Sequence, residues 1–230
     1  MKRIFTVVFA LVCVLLAQGQ TVRFSMQLGA SVPLGDFAKN DSDPQNGGFA
    51  TTGFDLKFIG ERVLSSNLVL GVNLGYNMFG VDEDALKKFI NPTNPENVRT
   101  ESQAFQNYNL QGRVGYDWNI NEGALHVTPV LDAGLGIFNS AYYLFQDDGG
   151  TTYVRKGNSA MALLVTPGLD IMYMVNDFVG IKIYGNYQFA NYKVDEQFST
   201  IDSSTDVITY CTKQYKYNSL CVGIGATVTL

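Results

Sequence analysis

Two stretches of the chain nearly repeat each other, "HVTPVLDAGLGIF" at 126–138 and "LVTPGLDIMYMV" at 164–175. Each carries Val-Thr-Pro-x-Leu-Asp and so drops a carboxylate, Asp132 or Asp170, into an otherwise apolar run. Two such aspartates could act as a general acid and base if they faced an accessible cleft. They could equally sit in a closed interior, where a buried charge needs a partner of opposite sign. The only histidine, His126, opens the first of the two stretches, with no serine beside it to complete a nucleophile–base pair. Which chemistry applies depends on the elements that carry these residues.

Those elements alternate with period two almost throughout, and helical periodicity is nearly absent. In the run 22–32, Val22, Phe24, Met26, Leu28 and Ala30 alternate with Arg23, Ser25, Gln27 and Gly29. Similar runs occupy 49–59, 67–79, about 104–118, 125–143, 159–174, 179–192 and 219–230, which predicts eight strands. Three connections are short (60–66, 119–124, 175–178) and four are long (33–48, 80–103, 144–158, 193–209). Short turns on one side, long loops on the other and an even strand number form the pattern of an all-β, eight-stranded antiparallel transmembrane β-barrel. The turns are expected to be periplasmic and the long loops extracellular. Aromatic residues near strand ends fit interfacial girdles: Phe58, Trp118 and Tyr173 toward the turns, Tyr76, Tyr108, Tyr143, Tyr187 and Tyr192 toward the loops. A lipocalin-like barrel, with the apolar face turned inward around a small ligand, is the alternative. The polar, glycine-rich second face suits a packed lumen better than a solvated exterior.

The chain opens as an exported protein does. Lys2 and Arg3 precede the apolar run 4–17, and small residues follow, so residues 1–19 read as a signal peptide and 20–230 as the barrel domain. Without those residues, 14 Lys+Arg face 21 Asp+Glu, a formal charge of −7, which argues against a nucleic-acid partner. Cys211 and Cys221 are too far apart along one strand, roughly 33 Å, to form a disulfide unless the chain folds back, and are expected as free thiols.

The run "LVTPGLDIMYMVNDFVGIKIYGNYQF" resembles the penultimate hairpin of small outer-membrane β-barrels of the OmpA/OmpX type, especially their Bacteroidetes versions. "SMQLGASVPLGDFA" resembles the first strand of that class and "VTPVLDAGLGIF" its fifth. The resemblance implies location in the cell outer membrane, with lipid and lipopolysaccharide around the barrel and insertion by the barrel-assembly machinery. It also brings in a PorT-like group of secretion-accessory barrels. The class usually ends in an aromatic residue, whereas this chain ends in Thr229-Leu230.

On this frame the polar face collects Arg23, Lys57, Arg113 and Lys182 with Asp55, Asp117, Asp132 and Asp170, four charges of each sign. Counting residues across the short turns places Arg113 near Asp132 and Asp170 near Lys182, so two lumen ion pairs are predicted. An eight-stranded lumen is just wide enough to be filled by side chains, which disfavours both the acid/base reading and a general porin. No catalytic residue, metal ligand or cofactor site is therefore assigned. Function falls to the long loops, through envelope integrity, adhesion or a protein partner at 80–103 and 193–209. Alternatives are a secretion accessory, a small-molecule-binding barrel and a lipid-modifying enzyme. Loop 80–103 begins with a short amphipathic helix carrying Leu86, Phe89 and Ile90. Asp82, Glu83 and Asp84, like Asp147 and Asp148, are solvated acids or ligands for divalent cations bridging to lipopolysaccharide. Loop 193–209 is rich in β-formers and is expected to lengthen its strands and offer an edge for partner pairing. Pro129 and Pro167 fall inside spanning strands, where a bulge or local break is expected.

Overall fold

The computed structural model describes residues 21–40, 48–91, 93–120, 124–146, 150–201 and 206–230. The proposed signal segment, Asp147 and Asp148 lie outside the described residues, as do the side chains of Phe89, Ile90 and Cys211. The strands are β1 (Thr21–Pro33), β2 (Ala50–Val63), β3 (Leu68–Val81), β4 (Arg99–Ser102), β5 (Phe105–Tyr116), β6 (Trp118–Ile120), β7 (Leu125–Asn139), β8 (Tyr143–Gln146), β9 (Thr152–Lys156), β10 (Ser159–Met174), β11 (Val179–Ile201) and β12 (Asp206–Thr229). One α-helix, α1 (Glu83–Ile90), follows β3. It is too short to cross a membrane, and no described helix is long and apolar enough to do so.

The long strands pair antiparallel in chain order, β1–β2–β3–β5–β7–β10–β11–β12. β12 then pairs back to β1, from Arg23 opposite Thr229 to Pro33 opposite Ser219, and the ring closes without a free edge. Alternation decides which way each side chain faces. Phe24, Met26, Leu28, Leu74, Leu110, Leu135, Ile183 and Ile224 are all exposed on the outside, whereas Ser25, Gln27, Asn73, Asn109, Gln111 and Lys182, which alternate with them, are polar and buried. The apolar face is therefore the membrane face, and the lipocalin arrangement does not apply. Phe58, Trp118 and Tyr173 are exposed toward the short-turn end, as an interfacial girdle requires.

Tyr143 and Tyr192 depart from the expected outer girdle. Tyr143 is 1% exposed and Tyr192 is fully buried, both facing inward. They belong to a second departure, the conversion of long loops into regular structure. β11 and β12 stay paired through Ile201 opposite Asp206, well past the last ring contact of β12 with β1. β9 adds to β11, β8 to β9 and β4 to β8, so the sheet continues β12–β11–β9–β8–β4 over the long-loop end. Only 202–205 separate the two longest strands, so the segment expected as loop 193–209 is mostly hairpin.

The prolines mark breaks rather than bulges. Pairing of β10 with β11 skips Thr166 and Pro167 and resumes in unchanged register. Pro129 lies where β7 passes from β5 to β6, again without a shift. A proline lacks the donor that a ladder needs but does not force an extra residue.

Candidate functional site

The lumen is the place where the polar residues meet, and its side chains sort into tiers. At the short-turn end, Arg23 of β1 reaches Asp117 between β5 and β6, with Nη2 3.0 Å from Oδ2. His126 of β7 closes the triangle, its Nδ1 lying 3.0 Å from the same carboxylate and 3.1 Å from the guanidinium. Thr128 donates to the other Asp117 oxygen at 3.0 Å. His126 thus sits within an ion-paired cluster beside a mouth cavity of about 480 Å³, lined also by Thr21, Asn119 and Asn176.

The middle tier is organised by Arg113 of β5. Its Nε and Nη2 hold Asp132 of β7 in a two-pronged fork at 2.8 and 3.0 Å, a geometry only a guanidinium provides. Nη1 donates to Asp170 of β10 at 2.8 Å and to Glu61 of β2 at 3.3 Å. Lys182 of β11 bridges the same Glu61 and Asp170, each at 3.3 Å. Asn73 adds a bond to Asp132 at 2.9 Å. Both pairs expected by counting across the turns, Arg113–Asp132 and Asp170–Lys182, are present. Register explains the first, because Arg113 stands directly opposite Asp132.

Glu61 was missed because the β2–β3 turn was expected from residue 60, whereas β2 runs to Val63. The turn tightens instead at Leu64–Asn67, with Asn67 in the left-handed region at φ 62°. Including Glu61, the clustered lumen ions are four cations and five anions, so the expected zero sum becomes −1 before His126 is counted.

Above this tier, Asp55 of β2 accepts from Asn77 at 2.8 Å and from the Tyr184 hydroxyl at 2.7 Å, and pairs with Lys57 at 2.9 Å. Lys57 lies over the Tyr184 ring, 4.5 Å from its centroid. Cys221 is free and buried, its Sγ 3.2 Å from the Ser31 hydroxyl.

The outermost tier is aromatic, which alternation did not reveal because phenylalanines occupy lumen positions there. Phe79 of β3, Phe105 of β5, Phe138 of β7 and Tyr217 of β12 converge at one level. Into their centre comes Phe37, delivered by a 3₁₀ turn (Gly35–Phe37) just after β1. Gly35 takes φ 59°, a conformation that costs a side chain but not a glycine. Phe37 is 1% exposed and meets the four rings at 5.1, 5.4, 5.8 and 5.2 Å. Gly48 lies so close that a Cβ there would stand 1.9 Å from the Phe37 carbonyl oxygen.

Over this plug sits the outer sheet. Arg155 of β9 bonds Glu196 of β11 and the Tyr215 hydroxyl of β12, and stacks on Tyr143 of β8 at 4.8 Å. Helix α1 is capped by Asp82, which accepts from Ala85 N at 2.9 Å, and Leu86 packs into the same apolar cluster. Glu83 accepts hydroxyls from Ser102 at 2.7 Å and Thr100 at 2.9 Å. The Ser102 and Thr100 hydroxyls hold its carboxyl below the usual glutamate range, aided by Lys87. Asp82 and Glu83 thus cap and latch the helix. Among the described residues no group of three or more His, Cys, Asp or Glu is placed to hold a metal ion. The sheet's tip exposes Ile201, Val207, Ile208 and Tyr210, the last 75% exposed.

Several solved outer-membrane proteins are similar to this chain. A major outer membrane protein from Thermus thermophilus aligns with TM-score 0.55 at 15% identity, over 91% of this chain and 99% of that one. Neisserial surface protein A aligns with TM-score 0.45 at 13% identity, over 92% and 97%. Ail, the attachment invasion locus protein of Yersinia pestis, aligns with TM-score 0.41 at 15% identity, over 93% and 100%. The first shares the fold of an outer-membrane β-barrel with this chain. No curated protein sequence matches. A family model described as "Putative MetA-pathway of phenol degradation" matches residues 6–199, and the chain belongs to that family.

Proposed function

We propose that this protein is a non-enzymatic outer-membrane barrel that does not conduct solutes and acts through the sheet at its long-loop end, as an adhesion or interaction platform. The carrying observation is that β4, β8, β9, β11 and β12 turn the loops into one sheet with a solvent-exposed apolar tip. A set of mere connectors would not need that order, and exposed apolar surface rimmed by polar residues marks interaction sites. The buried charged and aromatic side chains that face the lumen support the non-porin part of the reading. The titratable lumen side chains are engaged with one another, which supports the non-enzymatic part.

The test is pull-down from native membranes with the full chain and with a variant whose hairpin 195–212 is replaced by a short turn. Loss of a specific partner with the hairpin supports the platform. Retention of every partner, or porin-like conductance of the full chain in planar bilayers, overturns it. A co-purifying secretion component would narrow the role to an accessory barrel, and altered lipid A in a deletion strain would favour a lipid-modifying enzyme.

A second reading, reception of a small aromatic compound at the long-loop mouth, is favoured by the aromatic tier. The family description, which names phenol degradation, agrees with it. Its test is saturable binding of phenol to the full chain in proteoliposomes, above partition into protein-free vesicles.

A further inference from the structure

We propose that the rings around Phe37 are a socket for a monocyclic aromatic ligand of the phenol class, and that Phe37 is a tethered occupant which such a ligand displaces. The inference rests on the second reading above and names its site. The socket and its occupant differ in origin. Phe79, Phe105 and Phe138 are held by the ladders of the closed ring, and Tyr217 by the pairing of β12 with β11, two residues past the last contact of β12 with β1. Phe37 comes from a three-residue 3₁₀ turn that belongs to no ladder of the ring. Leu34 N donates to Asn218 O at 2.9 Å, Gly48 N to Asp36 O at 3.0 Å and Phe49 N to Lys39 O at 3.3 Å, Asn40 donates to Asp82 at 2.7 Å, and Asp36 pairs with Lys216 at 3.0 Å on the surface. A surface pair of that kind holds weakly. At the other end of the segment, Phe49 is buried at φ 55°, a conformation that costs a bulky residue free energy. Withdrawal of the turn leaves Phe79, Phe105 and Phe138 on their ladders.

The socket's dimensions follow from what it contains. A single phenyl ring meets its neighbours edge-on or tilted at 5.1 to 5.8 Å, the spacing that suits an aromatic ring. The socket also has a polar floor that a phenyl ring does not use. The Tyr217 hydroxyl donates to Gln188 Oε1 at 2.9 Å, while the buried Gln188 Nε2 has no hydrogen-bond partner among the described residues. An unpaired buried donor is costly, and an incoming hydroxyl oxygen would satisfy it. This selects a hydroxylated ring over a plain hydrocarbon of the same size. Binding to the intact chain is weakened by the fraction of molecules in which Phe37 has left, so removing its ring should tighten binding.

The experiment uses the full chain in proteoliposomes, with 4-fluorophenol and fluorobenzene followed by ¹⁹F NMR. Phe37→Ala and Phe37→Leu are compared with wild type, each first shown to be folded by heat-modifiable gel mobility. Phe37→Ala should bind 4-fluorophenol saturably and at least about tenfold tighter than wild type, with Phe37→Leu between them. Gln188→Leu in the Phe37→Ala background should abolish the preference for 4-fluorophenol over fluorobenzene. In wild type, saturating phenol should speed tryptic cleavage after the exposed Lys39, which follows the displaced ring. Folded Phe37→Ala without saturable binding overturns the socket. Uptake by Phe37→Ala with no phenol-dependent change at Lys39 in wild type overturns the tethered-occupant role. Saturable wild-type binding that ignores both Phe37 and Gln188 overturns the inference and leaves the second reading standing. No specific binding by any variant removes both.

Discussion

In the middle of the barrel one guanidinium meets three carboxylates, and every member is carried by the barrel wall. At the long-loop mouth the corresponding space is filled by a phenyl ring that the wall does not carry. The first arrangement is directional: each ion has named partners at fixed distances, and removing one strands the others in low dielectric. The second is held by shape and area, so a loss costs contacts but orphans no charge. Reliance on partners therefore falls from the middle of the lumen to its mouth. Sensitivity to removing the central group of each arrangement, Arg113 or the Phe37 ring, should fall the same way.

The largest effect is expected for Arg113→Met, which leaves Asp170 and Glu61 to Lys182 and leaves Asp132 with Asn73 alone. Loss of about 3–5 kcal/mol should be read from urea unfolding in micelles, with the exposed Trp118 as reporter. Adding Asp132→Leu should recover part of that loss, because the pair then leaves together; simple additivity would show that these ions do not depend on one another. Phe37→Ala should cost about 2–3 kcal/mol, at or below the usual range for a buried phenylalanine because its turn can recede. Asp132→Asn should cost about 1–2 kcal/mol, since Arg113 keeps Asp170 and Glu61 while losing one charge-assisted fork. An unchanged midpoint and gel mobility for that variant would remove support for the ion-pair reading.

The smallest effect lies outside the membrane. The depressed Glu83 carboxyl contributes stability that is fully present above the ordinary glutamate range and lost as pH falls through its lowered folded value. Hydrogen exchange of α1 should accelerate only at acid pH, and Glu83→Gln should flatten that dependence at a cost of less than about 1 kcal/mol at neutral pH. Acceleration on going to alkaline pH, beyond the intrinsic rise in exchange, would contradict the sign.

Period two carried most of the ring into view, because a strand between lipid and lumen must alternate. The two lumen pairs were legible for a related reason: a short turn fixes register, and register fixes who faces whom. Glu61 escaped because its turn forms four residues later than 60, and a strand end is set by local conformation at Leu64–Asn67 rather than by alternation. The outer half resisted for another reason. Tyr143, Tyr192 and Tyr217 carry no mark that separates a girdle ring from a plug ring, since both alternate and both sit near strand ends. Phe37 lies beyond its strand, so its place depends on a loop path that no periodicity encodes.

β11 and β12 span 23 and 24 residues, roughly 80 Å of strand, while a membrane crossing takes about ten. One continuous pair of strands therefore links the membrane to the outermost tip without a joint. A tug on Tyr210, directed along the strands, would load the hydrogen bonds of that ladder side by side rather than one after another. The outer tip and the membrane-spanning part are therefore two ends of one hairpin, and a force on one is felt directly by the other.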